Sequence, residues 1–224
     1  PASHSVYKAR PVEIGKHPAY APAPIDEVVA AIKTEKPDVV FAPHVETSAG
    51  MILPDDYVRS LADAVHQHGG LMVLDCIASG TLWVDMAETG VDVLISAPQK
   101  GWSGSPCAGL VMLSARAEAI LQETTSTSFS CDLKKWREIM SAYESGGHAY
   151  HATMPTDGLR AFVEVMRETR EMGFANVRAA QEDLGGQIRN LLELQGIKSL
   201  AAPGFRAPSV VVSYTDDPEI QTGK

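Results

Sequence analysis

The chain has 224 residues, enough for one large α/β domain or for one domain with part of another. Hydrophobic residues make up 45% and charged residues 21%, an ordinary globular balance, and 19 basic against 28 acidic residues leave a net charge of −9. Such an acidic surface offers no footprint for nucleic acid or an anionic membrane, and no run approaches the roughly 18 apolar residues of a membrane helix.

Val12 to Ile14 reads as a short strand between Pro11 and Gly15. Ile25 to Ile32 has apolar positions 25, 28, 29 and 32 at helical spacing, with Asp26 and Glu27 in the first turn, where the helix dipole favours acids. Pro37-Asp38 ends that helix. Val39-Val-Phe-Ala42 is an apolar strand that runs into the loop His44-Val-Glu-Thr-Ser-Ala-Gly50. A second helix follows Pro54, carried by Tyr57, Val58, Leu61, Ala62 and Val65, and stops at Gly69-Gly70. Leu71-Met-Val-Leu74 is the next buried strand and ends at Asp75. A connector through Trp83 and Met86 leads to the strand Val91–Ile95, then to Lys100, a Gly/Ser/Pro loop and a further apolar run, 109–113.

Helix and strand at this cadence predict right-handed crossovers and a mostly parallel sheet flanked by helices. Ligands in such sheets bind beyond the carboxyl ends of the strands. Glu46, Thr47, Asp75, Gln99 and Lys100 stand there. Further on, 115–121 and 133–143 read as helices, the Thr/Ser run 124–128 as loop, and 146–155 as irregular. Two long helical patterns, about 156–171 and 174–194, divide near Gly173, and Ser209 to Tyr214 reads as a strand.

Lys100 has two readings. It is a surface residue whose stem covers the sheet edge, or a catalytic amine whose desolvation frees its lone pair. Asp75 likewise is a turn aspartate or a carboxylate that keeps a cofactor's ring nitrogen protonated. The cysteines Cys76, Cys107 and Cys131 are too few and scattered for a disulfide framework or a zinc site, and reduced thiols of a cytoplasmic protein are expected. Cys107 has no local base to make it a nucleophile. His66 and His68, at the polar end of a helix, read as solvated or capping groups. His148 and His151 lack a carboxylate at ligand spacing, so no metal is expected. The tryptophans read as packing residues, with Trp102, two residues from Lys100, as the exception to test.

The segments His44–Gly50, Leu74-Asp-Cys-Ile-Ala-Ser79, Ser96-Ala-Pro-Gln-Lys100 and Tyr150-His-Ala-Thr-Met-Pro155 together resemble the class V, fold-type I pyridoxal phosphate enzymes. The likeness is greatest to the alanine–glyoxylate and serine–glyoxylate (serine–pyruvate) aminotransferase group, over roughly residues 39 to 160. It implies an aspartate-aminotransferase-like large domain over 1–155, then a connecting helix and the start of a smaller α+β domain over 156–224. It implies pyridoxal 5′-phosphate as cofactor, and small amino acids and 2-oxo acids as substrates. Lys100 matches the lysine that carries the cofactor as a Schiff base, and Asp75 its pyridinium partner. Ile77 matches the apolar residue against one ring face, Thr47 a hydroxyl near the phenolic oxygen, and Gln99 a residue touching the phosphate. Tyr150 and Thr153 match a loop that reaches the neighbouring subunit's cofactor, which implies a homodimer with a shared active site.

The family usually has a small or apolar pair after the lysine, where this chain has Gly101-Trp102. Its phosphate cup and ring-stacking aromatic belong before Pro1, and its carboxylate-gripping arginine after Lys224. With ends that look cut, the chain is expected to be a central portion of a longer protein. Two alternatives stay open. One is another class V enzyme, a lyase or cysteine desulfurase, although those relatives generally carry histidine where Gln99 stands. The other is an inactive truncated fragment.

Overall fold

The structure, a computed structural model, describes residues 4–222; the ends read above as cut, residues 1–3 and 223–224, lie outside the described residues. The first half contains β1 (Arg10–Pro11), β2 (Tyr20–Ala21), α1 (Ile25–Glu35), β3 (Val39–Pro43), β4 (Val45–Glu46), β5 (Met51–Ile52), α2 (Asp55–His66) and β6 (Leu71–Asp75). Then follow α3 (Met86–Thr89), β7 (Val93–Ser96), β8 (Leu110–Leu113), α4 (Ala115–Glu123), α5 (Leu133–Glu144), α6 (Thr156–Met172), α7 (Phe174–Leu194) and α8 (Pro218–Gln221). No helix among the described residues is long and apolar enough to cross a membrane.

The central sheet has the order β3-β6-β7-β8; its first three strands are parallel and β8 runs antiparallel to β7. Near-continuous apolar strands suit a parallel sheet. The helices α1 and α2 cover one face, because their apolar residues recur at helical spacing. Val28, Ile32, Val58, Leu61 and Val65 pack there with Ala42, Met72, Leu74 and Leu94. Met72, Leu74 and Val65 are fully buried, and each such side chain contributes roughly 1.5–3 kcal/mol by leaving water. The α1 helix stops where Lys36 turns left-handed (φ 48°) ahead of Pro37. The register sets Pro43 beside Asp75 and Asp75 beside Ile95, so the strands end together.

The sequence reading needs three corrections. The strand expected over Val12–Ile14 lies at Arg10–Pro11 instead, paired with Tyr20–Ala21. The strand expected over Ser209–Tyr214 does not form a ladder. It makes only a bridge between Ser199 and Ser213, flanked by Leu200 N–H to Val212 C=O (3.0 Å) and Tyr214 N–H to Lys198 C=O (2.9 Å). Pro208 has no N–H to give, and the carbonyls of Ala207 and Val210 are taken by a side chain of α7.

The third correction is His66, which is not a solvated cap. Its Nε2 lies 2.6 Å from Oδ2 of Asp92, a carboxylate only 2% exposed. Asp92 also accepts the Met72 N–H (2.9 Å) and the Ser114 hydroxyl (2.9 Å), tying the amino end of β7 to β6, α2 and α4. Replacing Asp92 by alanine strands those donors in the interior. We expect a loss of roughly 3 kcal/mol, read as a lower urea midpoint at unchanged m-value.

Candidate functional site

At the opposite end of the sheet, the strands β3, β6 and β7 deliver three loops to one edge. The first, after β3, carries Thr47 in the turn between β4 and β5. The second follows Asp75 at the end of β6. The third is the turn after β7 that holds Gln99 and Lys100.

These loops are tied to one another. The His44 N–H donates to the Asp75 carbonyl (2.8 Å), and the Cys76 N–H donates to the Ile95 carbonyl (2.7 Å). His44 is 3% exposed and its Nδ1 shares a hydrogen bond with the Ser79 hydroxyl at 2.7 Å. Burial holds the imidazole neutral and pushes its pKa down to about 4. The second and third loops approach backbone to backbone: a Cβ on Gly101 would fall 1.9 Å from the Gly80 carbonyl oxygen. Only glycine permits that approach. Trp102, next along, turns inward and packs on Trp83 (ring centroids 4.8 Å) and edge-on to Phe162 (5.7 Å). It is an anchor for the turn.

The side chains at this edge are largely free. Asp75 is half-buried; Oδ1 accepts the Ile77 N–H at 2.9 Å, and Oδ2 takes no hydrogen bond among the described residues. Lys100, Gln99 and Thr47 are exposed, and their polar groups have no hydrogen bond or ion pair among the described residues. Ile77, two residues after Asp75, is half-buried. Glu46, by contrast, is spent on its own turn, accepting from Ser48 N–H (3.0 Å), the Ser48 hydroxyl (2.8 Å) and Ala49 N–H (2.9 Å), and those bonds hold its pKa down despite burial that raises it.

One amine, one carboxylate oxygen, one hydroxyl and one amide therefore stand around the ends of parallel strands without a hydrogen bond among the described residues. Tyr150 and Thr153 lie elsewhere. They sit in the irregular stretch after α5, exposed, within 3.4 Å of each other through their hydroxyls. Cys76 is no nucleophile, since burial pushes its thiol up to about 12. His44 and Ser79 were not singled out from the sequence. Their signal was position: a polar residue directly after an apolar strand, and a serine four residues beyond Asp75.

The family model "Aminotransferase class-V" matches residues 6–215. A 2-aminoethylphosphonate–pyruvate transaminase of Bacteroides fragilis is 32% identical over 136 residues, covering 60% of this chain and 36% of its own. An alanine–glyoxylate aminotransferase of Oryctolagus cuniculus is 26% identical over 190 residues, covering 83% of this chain and 47% of its own. Among solved structures, an alanine–glyoxylate aminotransferase of Nostoc sp. superposes with a TM-score of 0.78 at 24% identity, over 86% of this chain and 50% of that one. At that identity the likeness is one of fold. The chain spans between about a third and a half of the length of these relatives.

The buried His44 makes stability pH-dependent with a definite sign. Its folded pKa of about 4 lies below the ordinary 6.5, so the unfolded state binds the extra proton between those values. Stability is full above pH 6.5 and is lost as pH falls towards 4, by roughly 3 kcal/mol in all. Urea midpoints measured from pH 7 to 4 should fall more steeply in the unaltered protein than in His44→Asn. Gly101→Ala should force the Lys100 turn off the Gly80 loop and cost about 1–3 kcal/mol in the same assay.

Proposed function

Because the chain belongs to the class-V aminotransferase family, we propose that it forms the cofactor-binding part of a pyridoxal-phosphate-dependent transaminase. The reaction in this reading moves an amino group from a small amino acid, alanine or serine, to a 2-oxo acid such as glyoxylate or pyruvate. The observation that carries the reading is the pair Lys100 and Asp75. They follow adjacent parallel strands at one sheet edge, and the Lys100 amine and one Asp75 oxygen are unpaired among the described residues.

The free groups suit pyridoxal phosphate, which needs an amine for its aldehyde, a carboxylate for its ring nitrogen and donors for its phenolic and phosphate oxygens. When bound, the cofactor supplies an electron sink for the bond broken at the substrate's α-carbon. Lys100 would hold the cofactor through its Nζ at the aldehyde. The same Nζ, when free, would take the α-carbon proton as base and return one as acid. Asp75 keeps the proton on the ring nitrogen, since an anion at contact favours the charged form. Ile77 would cover one ring face and keep water from it. Thr47 would hold the phenolic edge, and the Gln99 amide would hold the phosphate. Tyr150 and Thr153, exposed and hydrogen-bonded only to each other through their side chains among the described residues, would serve the cofactor of a second copy, and the working unit in this reading is a homodimer, placed in the cytoplasm. In this scheme residues 1–155 belong to the cofactor-binding domain, and 156–224 to the connecting helix and the start of a smaller one.

The relative at 32% identity supports a second donor, an aminophosphonate with pyruvate as acceptor. A desulfurase-like chemistry is disfavoured by Gln99 at the place of the lysine-flanking histidine and by the buried Cys76.

Borohydride added to the cofactor-loaded protein should fix pyridoxal on the peptide that contains Lys100, and Lys100→Ala should abolish that label. Turnover in the variant should fall roughly a thousandfold or more. Asp75→Asn should lower turnover by about tenfold to thousandfold, the range of 1–3 pKa units that an adjacent opposite charge confers. A donor panel of alanine, serine and 2-aminoethylphosphonate separates the two substrate readings. Unlabelled Lys100 in the loaded, unaltered protein would sink the proposal.

A further inference from the structure

An irregular strap, residues 205–212, lies across the loops that carry Thr47 and Asp75. The Ile52 N–H donates to the Phe205 carbonyl (2.9 Å), and the Ala207 N–H donates to the Gly50 carbonyl (2.9 Å). On the other side, the Ser209 hydroxyl donates to the Ala78 carbonyl at 2.9 Å. The fit is close at both places. A Cβ on Gly50 would lie 2.7 Å from the Val210 carbonyl oxygen, and one on Gly80 would lie 2.7 Å from Ser209 Cβ. Gly50 comes three residues after Thr47, and Ala78 three after Asp75, so the strap's course sets the spacing of the two loops.

The strap meets β5 through the single bridge Met51–Arg206 and forms no ladder among the described residues; α7 braces its outer side. Gln181, Gly185 and Arg189 follow at intervals of four along one helix face. The Gln181 amide donates to the Pro208 carbonyl (3.2 Å), and Gly185 lets the helix approach so near that a Cβ there would lie 2.3 Å from the same oxygen. Arg189 Nη2 reaches the Ala207 carbonyl at 2.9 Å and the Val210 carbonyl at 3.4 Å. One cation thus gathers two carbonyls three residues apart. Arg189 is 5% exposed, its Nε is buried without a partner, and among the described residues it has no ion pair with a carboxylate. A buried cation so placed is costly. The geometry it enforces explains its presence better than any gain in stability.

We propose that Arg189 is a positioning residue of the cofactor site, acting through the strap on the spacing between the Thr47 and Asp75 loops. This rests on the reading of that site as a pyridoxal phosphate site, and the two fail separately. Borohydride labelling of Lys100 in the unaltered protein tests the reading, whereas variants at Arg189 test the inference. In the full protein, Arg189→Gln should raise the Kd for pyridoxal phosphate about tenfold, as loss of a charge-assisted hydrogen bond implies, and Arg189→Lys should recover part of it. Val65→Ala, in the core of α2, supplies the control. At an equal or larger fall in unfolding midpoint it should leave the Kd within about twofold of the unaltered value. Unchanged cofactor affinity in Arg189→Gln, or an equal loss in Val65→Ala, would overturn the proposal. Should Arg189→Gln fail to fold, Arg189→Lys decides: a Kd raised about threefold or more upholds it, and an unchanged Kd ends it.

Discussion

The site depends on how closely three loops approach at the carboxyl edge of the sheet, and the tightest point is Gly101 against the Gly80 carbonyl. A methyl group there would separate the loop after Asp75 from the turn that bears Lys100. The other close contacts serve the same end. His44 and Ser79 join the first loop to the second by a buried hydrogen bond, and Gly50 and Gly80 admit the strap that spans both. The parallel register does the rest, since β3, β6 and β7 end level with one another. Loops of this kind are positioned by the scaffold and not by their own propensity.

Energetically this arrangement draws on the core beneath it. The helices α1 and α2 seal only one sheet face with a dense apolar layer, and the strand ends inherit that rigidity. Burying His44 neutral makes the edge sensitive to acid, and burying Arg189 with its Nε unpartnered adds a second unfavourable contribution. Neither residue is where stability alone would place it. His44 bonds Ser79, four residues after Asp75, whereas Arg189 bonds the strap that lies on the Thr47 and Asp75 loops.

Much of this was legible in the chain. The helices showed in their periodicity: apolar positions 25, 28, 29 and 32 became the inner face of α1, and the patterns after Thr156 and Phe174 became α6 and α7. Asp75, Gln99 and Lys100 were found because a polar residue that ends an apolar strand has to stand at the sheet edge. Ser209–Tyr214 misled because a run of valines predicts a strand only if neighbours can take its hydrogen bonds, and here α7 and Pro208 intervene. His66 misled for a related reason. Its partner, Asp92, lies 26 residues further on, and no local pattern links a helix-end histidine to a strand-start aspartate. Gly101 and Gly80 are read alike: each is an ordinary loop glycine until the fold sets one upon the other.

Two aspartates mark the two ends of the sheet, and their contrast separates structure from chemistry. Asp92, at the amino end of β7, is 2% exposed and accepts from a backbone amide, a hydroxyl and an imidazole. Arg116 Nε also lies 4.0 Å from Oδ1, so both oxygens are engaged within the protein. Asp75, at the carboxyl end of the neighbouring strand, is half-buried and accepts one backbone amide among the described residues. Partial burial strengthens whatever interaction a carboxylate makes, and an unused oxygen leaves that interaction to be made with something else. From sequence the two are the same residue beside the same kind of strand. Strand polarity sets their surroundings apart, because the crossovers of a parallel sheet leave open the edge where Asp75 stands, whereas α2 and α4 close over Asp92.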